Sequence, residues 1–156
     1  MGIYLNPGAD LFLEARRSEI YVDKTAMLSE LSAVLGTQQK YVCVSRPRRF
    51  GKTMAANMVC AYYDRTVTED VFSGLAIARA EGFSHGRKKF DVLRINMQEF
   101  LSRSSNVKEL LERVEGKVIR ELKKQYPDVE LYDENDLAET MQDIFAESEC
   151  LFIVII

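Results

Sequence analysis

The segment that most constrains the fold runs from residue 41 to residue 63. Residues 41–44, Tyr-Val-Cys-Val, are a short unbroken apolar run rich in strand formers, which predicts a strand buried on both faces as in parallel sheets. Residues 54–63 have the character of a helix, and Gly51, Lys52 and Thr53 stand just before them. We therefore expect a buried strand, a short loop and then a helix.

The loop between these elements, residues 46–53 (the 46–53 loop), resembles the Walker A pattern G-x-x-x-x-G-K-S/T. In that pattern Gly51 lets the backbone approach a phosphate, Lys52 reaches the β and γ oxygens of a nucleotide, and the Thr53 hydroxyl can ligate Mg²⁺. A helix that starts there also directs free N–H groups toward the anion. The predicted nucleotide-binding residues are Arg46, Pro47, Arg48, Arg49, Phe50, Gly51, Lys52 and Thr53, with Thr53 also the predicted metal ligand.

One residue departs from the Walker A pattern, because Arg46 stands where the first glycine would be. Pro47 restricts Arg46 to extended geometry and so changes how the chain enters the loop. An alternative interpretation is a solvated basic turn, or a small nucleic-acid patch formed by Arg46, Arg48, Arg49 and Lys52.

The remaining chain predicts alternating helices and strands. Apolar spacing predicts a helix after Asp23, its expected N-cap, with Gly36 as terminator. Residues 91–97 predict a second strand, and Asn106 with Glu109 predicts a capping pair that opens a long helix ended by Pro127. A shorter helix at 137–145 and an apolar strand at 151–156 follow. The fold class is therefore α/β with a largely parallel sheet, in one domain.

Composition excludes several classes of protein. Twenty-one basic and 24 acidic side chains give a net charge of −3, which argues against a protein coated in nucleic acid or anionic lipid. No apolar run approaches the roughly 20 residues that span a bilayer, and the first residues show no charged region before an apolar stretch, so we expect a cytoplasmic protein. Cys43, Cys60 and Cys150 are widely separated and predict buried, reduced thiols.

Two motifs resemble a known family, the predicted AAA-ATPase-like proteins of bacteria. They are Tyr-Val-Asp-Lys-Thr at 21–25 and Ser-Arg-Pro-Arg-Arg-Phe-Gly-Lys-Thr at 45–53, and further similarity lies in Tyr62-Tyr63, in residues 72–75 and in Asn96-Met97. The resemblance implies that Arg46 is normal for the family, that ATP is the nucleotide, and that the fold is that of a P-loop NTPase. Many members continue into a region similar to PD-(D/E)xK nucleases, which is absent here, so nuclease activity is not implied.

The resemblance also identifies residues 151–156 with the Walker B strand, after which an Asp-Glu pair would follow. Those acids hold Mg²⁺ and polarise the attacking water in ATPases of this type. We therefore interpret residues 1–156 as the N-terminal part of a single P-loop ATPase-like domain. ATP hydrolysis by this part alone is expected to be poor.

Several other residues have simpler explanations than a functional one. Asp23 and Lys24 lie in the family motif and are candidates for a position near the nucleotide, but the roles of helix N-cap for Asp23 and surface lysine for Lys24 explain them equally well. His85 has no ligand partner at metal spacing and is assigned no role. The acidic run between 128 and 136 predicts helix capping and a solvated turn, and Tyr62 and Tyr63 predict core packing rather than base stacking.

Two alternative functions remain open at the level of sequence. A small-molecule phosphotransferase would use the same loop but needs an acceptor pocket. A non-enzymatic nucleotide-gated switch or nucleic-acid-binding module would instead bind a partner through Arg46, Arg48 and Arg49.

Because we interpret residues 1–156 as only the N-terminal part of the domain, we expect their sheet to lack strands. We therefore predict that the chain has low stability or self-associates through its apolar last strand. The oligomeric state and the denaturant unfolding curve measure both properties. A monomer that unfolds cooperatively would contradict the prediction.

Overall fold

The computed structural model, which describes residues 2–156, confirms the α/β class. Over these residues it contains the helices α1 (Asp10–Arg16), α2 (Met27–Val34), α3 (Lys52–Tyr63), α4 (Met97–Leu101), α5 (Val107–Gln125) and α6 (Leu137–Ser148), the 3₁₀-helix Ala76–Arg79, and the strands β1 (Asp91–Arg94) and β2 (Phe152–Ile155). The chain divides into two compact units: Gly8–Phe90, and the N-terminal residues through Pro7 together with Asp91–Ile156. That residues 1–156 belong to a single P-loop domain stays a prediction.

The sheet in the second of these units consists of β1 and β2, which pair in parallel as predicted. Asp91 lies opposite Phe152 and Arg94 opposite Ile155. The N-terminal segment also joins β1, in antiparallel sense: the Arg94 N–H donates to the Tyr4 carbonyl at 2.8 Å, and the chain makes an isolated bridge between Leu5 and Leu93. The Glu121 carboxylate holds this segment in place, because it accepts hydrogen bonds from the backbone N–H groups of residues 3, 4 and 5.

Helix α5 begins and ends where the sequence predicts. The Asn106 side chain accepts the Glu109 N–H at 2.9 Å, and the Glu109 carboxylate accepts the Ser105 N–H at 2.8 Å, which makes a reciprocal cap. The helix ends before Pro127, which cannot continue it. In the described part of the chain, no helix is both long and apolar enough to cross a membrane.

The core of this unit lies between α5, β1 and their neighbours. Its buried members are Tyr4, Leu5, Leu93, Ile95, Phe100, Leu110, Val114, Val118, Leu122 and Ile144. Two apolar residues of α5 lie outside this core, because Val107 is 73% exposed and Leu111 is 48% exposed. Burial of the remaining side chains supplies the apolar contacts that hold the helix on the sheet.

An aromatic cluster forms the core of the Gly8–Phe90 unit. Tyr62 and Tyr63 are fully buried at the end of α3, as the sequence predicts, with ring centroids 4.9 Å apart. Phe72 packs edge-on against Tyr62 at 5.3 Å and stacks on Phe12 of α1 at 5.0 Å. The buried end of α3 is therefore anchored by rings whose contacts stabilise the unit beyond simple burial.

The predicted strand at residues 41–44 is wrong. This segment has no regular secondary structure, and Tyr41 is 86% exposed. The apolar run is a genuine strand-forming sequence, but a strand requires a neighbouring backbone with which to pair, and none of the strand pairs or bridges in the described residues involves residues 41–44. The prediction that Cys43 is buried fails for the same reason, whereas Cys60 and Cys150 are buried, as predicted.

Burial of Tyr63 predicts a pH dependence of stability. Burial raises the pKa of Tyr63 from 10.0 to about 12, although a 2.8 Å hydrogen bond with the Ser32 hydroxyl opposes it. Between these two pH values the unfolded chain holds fewer protons than the folded one. The contribution of protonated Tyr63 to the free energy of unfolding is therefore constant below pH 10.0 and is lost as the pH rises to about 12. Tyrosinate absorbance should therefore rise at a higher pH in the native protein than in the protein unfolded by urea. This difference in pH should be smaller in Tyr63→Phe. Identical native and denatured titration curves would contradict this.

Candidate functional site

The site begins at the first turn of α3, which starts at Lys52. Gly51 is the N-cap residue and adopts a left-handed conformation with φ of 80°, which glycine tolerates far better than other residues. The Ala55 N–H donates to the Gly51 carbonyl at 2.9 Å, so intrahelical bonding starts there. The N–H groups of the preceding helical residues have no acceptor within the helix, and Gly51 has no side chain to cap them.

The Lys52 side chain folds back across the loop. Its Nζ donates to the Arg46 carbonyl at 2.7 Å, six residues earlier. The first and seventh residues of the 46–53 loop are therefore joined by a charged hydrogen bond. As a result, the ammonium group lies against the loop backbone rather than extending into solvent.

The other predicted residues of the 46–53 loop lie on the surface. Arg46, Pro47, Arg48, Arg49 and Phe50 are exposed, as are Lys52 and Thr53, and Gly51 is partly exposed. Arg49 also has a positive φ, 68°, a conformation that is rare for residues other than glycine. The eight predicted residues thus form one continuous exposed loop that leads into α3, although the buried strand expected before it is missing.

The second family motif, residues 21–25, lies beside this loop. Asp23 is not the N-cap of α2: its carboxylate accepts the backbone N–H and the hydroxyl of Thr25, at 2.8 and 2.7 Å, in an Asx turn. Its other oxygen accepts the Ala76 N–H at 2.7 Å, and the Thr25 hydroxyl accepts the Ile77 N–H at 3.1 Å. Asp23 and Thr25 therefore hold the start of the 3₁₀-helix, a long-range role that a local capping rule could not predict.

These bonds also determine the charge state of Asp23. Partial burial by itself would raise the pKa of this carboxyl, but the hydrogen bonds from Thr25 and from the Ala76 N–H outweigh it and lower the pKa below its ordinary value. Asp23 thus remains a carboxylate, the form that accepts all three bonds.

Lys24, between Asp23 and Thr25, points to the 46–53 loop. Its Nζ donates to the Phe50 carbonyl at 3.1 Å. A methyl group built on Gly51 would lie 3.4 Å from the same ammonium. Lys24 is exposed, but it is more than a surface lysine, because it contacts the backbone next to Gly51.

A cavity of about 300 Å³ adjoins the loop. Its lining is mostly apolar and comes from α1, the 20–24 segment, the loop and α3: Phe12, Ala15, Ile20, Tyr21, Val22, Lys24, Arg49, Phe50, Gly51, Met54, Ala55 and Met58. Ile20 is 83% exposed and Phe50 is 60% exposed. Exposed apolar side chains around a cavity are typical of a binding surface.

A larger hollow of about 610 Å³ lies along α5 and the turn before α6. Cationic and anionic side chains share its lining, among them Glu112, Glu115, Arg120 and Lys124. Charges of both signs side by side give no preference for an anion. This hollow contains no residue of the 46–53 loop, and we assign it no role.

The remaining candidates from the sequence behave as ordinary structural residues. Asp136 accepts the Glu139 N–H at 2.9 Å and so caps α6, and Glu134 pairs with Lys123 at 2.7 Å. His85 lies in a turn, where its N–H donates to the Gly82 carbonyl. Within residues 2–156, no cluster of three or more His, Cys, Asp or Glu side chains is placed to hold a metal ion.

Comparison with known proteins identifies the family. A family model described as Predicted AAA-ATPase matches residues 8–156. The chain belongs to the predicted AAA-ATPase family. This match confirms the family resemblance found in the sequence, and the matched range includes the 46–53 loop and the 21–25 motif. No curated protein and no solved structure matches the chain significantly.

Membership of the predicted AAA-ATPase family supports a general ATPase-like role. In this family member, the structure brings the two motifs into direct contact through Lys24 and Phe50. The contact links the helix start at Gly51 to the Asx turn at Asp23. The two motifs therefore lie side by side and together form the candidate site.

The left-handed Gly51 gives a test of the loop geometry. Gly51→Ala should lower the free energy of unfolding by about 1–2 kcal/mol, because a Cβ disfavours positive φ. Gly116→Ala is the matched control: Gly116 lies within α5 with open space around its Cα, so alanine there should raise stability by about 0.5–1 kcal/mol. Urea unfolding curves measure both, and a stabilising Gly51→Ala would show that the left-handed turn is not formed.

Proposed function

We propose that this predicted AAA-ATPase binds ATP together with Mg²⁺ through residues 46–53. The observation that carries the proposal is the Lys52 ammonium, which lies over the loop at 2.7 Å from the Arg46 carbonyl, at the start of a helix with an uncapped first turn. A cation and several free N–H groups thus converge on one exposed loop. This combination suits a polyphosphate.

The phosphates would bind through backbone and side chain together. The first N–H groups of α3 and the positive end of its dipole favour an anion at this position. The left-handed Gly51 next to the helical Lys52 belongs to the type of turn that gathers N–H groups into an anion-binding concavity. On binding, Lys52 would exchange the Arg46 carbonyl for phosphate oxygens, replacing a hydrogen bond to a neutral group by one to an anion.

The nucleoside would occupy the cavity beside the loop. Its volume of about 300 Å³ and its lining by Tyr21, Phe50 and Met54 suit a flat, largely apolar ring system. Because Gly51 belongs to both the loop and the cavity wall, one molecule can reach both. The choice of ATP among nucleotides rests on the family.

Mg²⁺ fits the site only as a companion of the nucleotide. The exposed Thr53 hydroxyl, in the first turn of α3, would be its protein ligand, with phosphate oxygens and water completing the shell. The ion would supply neutralisation of phosphate charge. The described residues offer no acidic cluster that would hold the ion without the nucleotide.

The proposal covers binding and leaves hydrolysis aside. Hydrolysis also requires a group that orients the attacking water. None of the described residues around the 46–53 loop is assigned that task.

Lys52→Ala tests the proposal. A fluorescent ATP analogue titrated with Mg²⁺ at fixed salt should bind wild-type protein saturably. The variant should bind about 10- to 100-fold more weakly, because hydrogen bonds to charged groups contribute about 1.5–3 kcal/mol. Chelation of Mg²⁺ should weaken wild-type binding as well.

Lys89→Ala is the control for this experiment. Lys89 is an exposed lysine of the same Gly8–Phe90 unit and does not line the cavity. Its removal should leave the affinity within twofold of wild type, whereas equal losses in both variants would indicate non-specific charge attraction. No binding by a folded wild-type sample would refute the proposal.

A further inference from the structure

The 46–53 loop receives a second lysine from outside its own sequence. Lys24 Nζ donates to the Phe50 carbonyl at 3.1 Å, whereas Lys52 Nζ donates to the Arg46 carbonyl at 2.7 Å. The two ammonium groups thus bind opposite parts of the loop. Lys52 secures its entry, and Lys24 secures the peptide that leads into Gly51.

The backbone that carries Lys24 is fixed on both sides. The Asp23 carboxylate accepts the Thr25 N–H and the Ala76 N–H, and the buried Thr25 hydroxyl accepts the Ile77 N–H. Lys24 therefore extends from a hydrogen-bonded turn rather than from a mobile segment. Its reach toward Phe50 is set by that turn.

The bond from Lys24 controls the direction of an N–H group. A trans peptide is planar, so its carbonyl and its N–H point in opposite directions. When Lys24 holds the Phe50 carbonyl, it also fixes the direction of the Gly51 N–H. The Gly51 carbonyl is held in turn by the Ala55 N–H at 2.9 Å, so both peptides that flank Gly51 are constrained.

We infer that Lys24 is a positioning residue for polyphosphate binding: it sets the Phe50–Gly51 peptide so that the loop is already shaped for the β and γ phosphates. This inference rests on the proposed function of the 46–53 loop. It also gives the 21–25 motif a role, since Asp23 and Thr25 hold the turn in place and Lys24 extends from that turn to bond the Phe50 carbonyl of the loop. Preorganisation of this kind raises affinity by removing an ordering cost from binding.

The test compares Lys24→Met with wild type in competition against the fluorescent ATP analogue. ATP should compete about 3- to 10-fold more weakly in the variant, the equivalent of one lost hydrogen bond of about 0.5–1.5 kcal/mol. AMP, which lacks the β and γ phosphates, should change by less than twofold. The ratio of ATP to AMP affinity is therefore the decisive readout, because general damage to the cavity would weaken both ligands alike.

Three further proteins complete the experiment. Lys24→Arg retains a charged donor and should recover most of the ATP affinity, and Lys89→Met, an exposed lysine outside the cavity lining, should leave both affinities unchanged. If Lys24→Met has a lower thermal midpoint than wild type, the same comparison is made with Lys24→Gln, whose side chain is polar but shorter. This variant should also lose affinity for ATP but not for AMP. If wild-type protein binds ATP but a folded Lys24 variant keeps the same ratio of ATP to AMP affinity, the inference is overturned and the proposed function is upheld. Absence of ATP binding by wild-type protein would overturn both.

Discussion

The geometry of the site depends on one peptide, that between Phe50 and Gly51. Its carbonyl accepts the Lys24 ammonium, and the next residue takes a left-handed φ of 80° before α3 begins. Left-handed backbone is costly for residues with a Cβ, so this turn requires glycine. Helix α3 starts directly after this turn, and the side chain of its first residue, Lys52, donates to the Arg46 carbonyl at 2.7 Å.

Helix α3 joins the exposed end that carries the candidate site to a buried end. Lys52 and Thr53 are exposed, whereas Tyr62 and Tyr63, ten residues later in each case, are fully buried among aromatic rings. A helix is stiff over this length, so the packed end fixes where the exposed end lies. The loop can therefore be exposed to a ligand and still be held in position, which is what precise contact with phosphate requires.

Local signals in the sequence predicted well, and signals that depend on distant partners did not. The cap at Asn106 and the stop at Pro127 involve residues within one helical turn, and both are confirmed. The 41–44 segment has the residues of a strand, but whether it forms one depends on a pairing partner that local sequence cannot specify. Asp23 was likewise assigned to the nearest helix, whereas it bonds the Ala76 N–H, 53 positions away.

Under the proposed function, the two parts of the candidate site would discriminate between ligands in different ways. Backbone N–H groups and Lys52 would recognise phosphate, which every nucleotide carries, so the loop alone would select for the number of phosphates and not for the base. Selection of the base would then come from the cavity, whose wall includes Tyr21 and the exposed Met54. Covering such apolar surface contributes about 25 cal/mol per Å² removed from water. Lys24 adjoins both parts, because it lines the cavity and also bonds the Phe50 carbonyl, through which it would orient the Gly51 N–H for phosphate without contacting the phosphates itself.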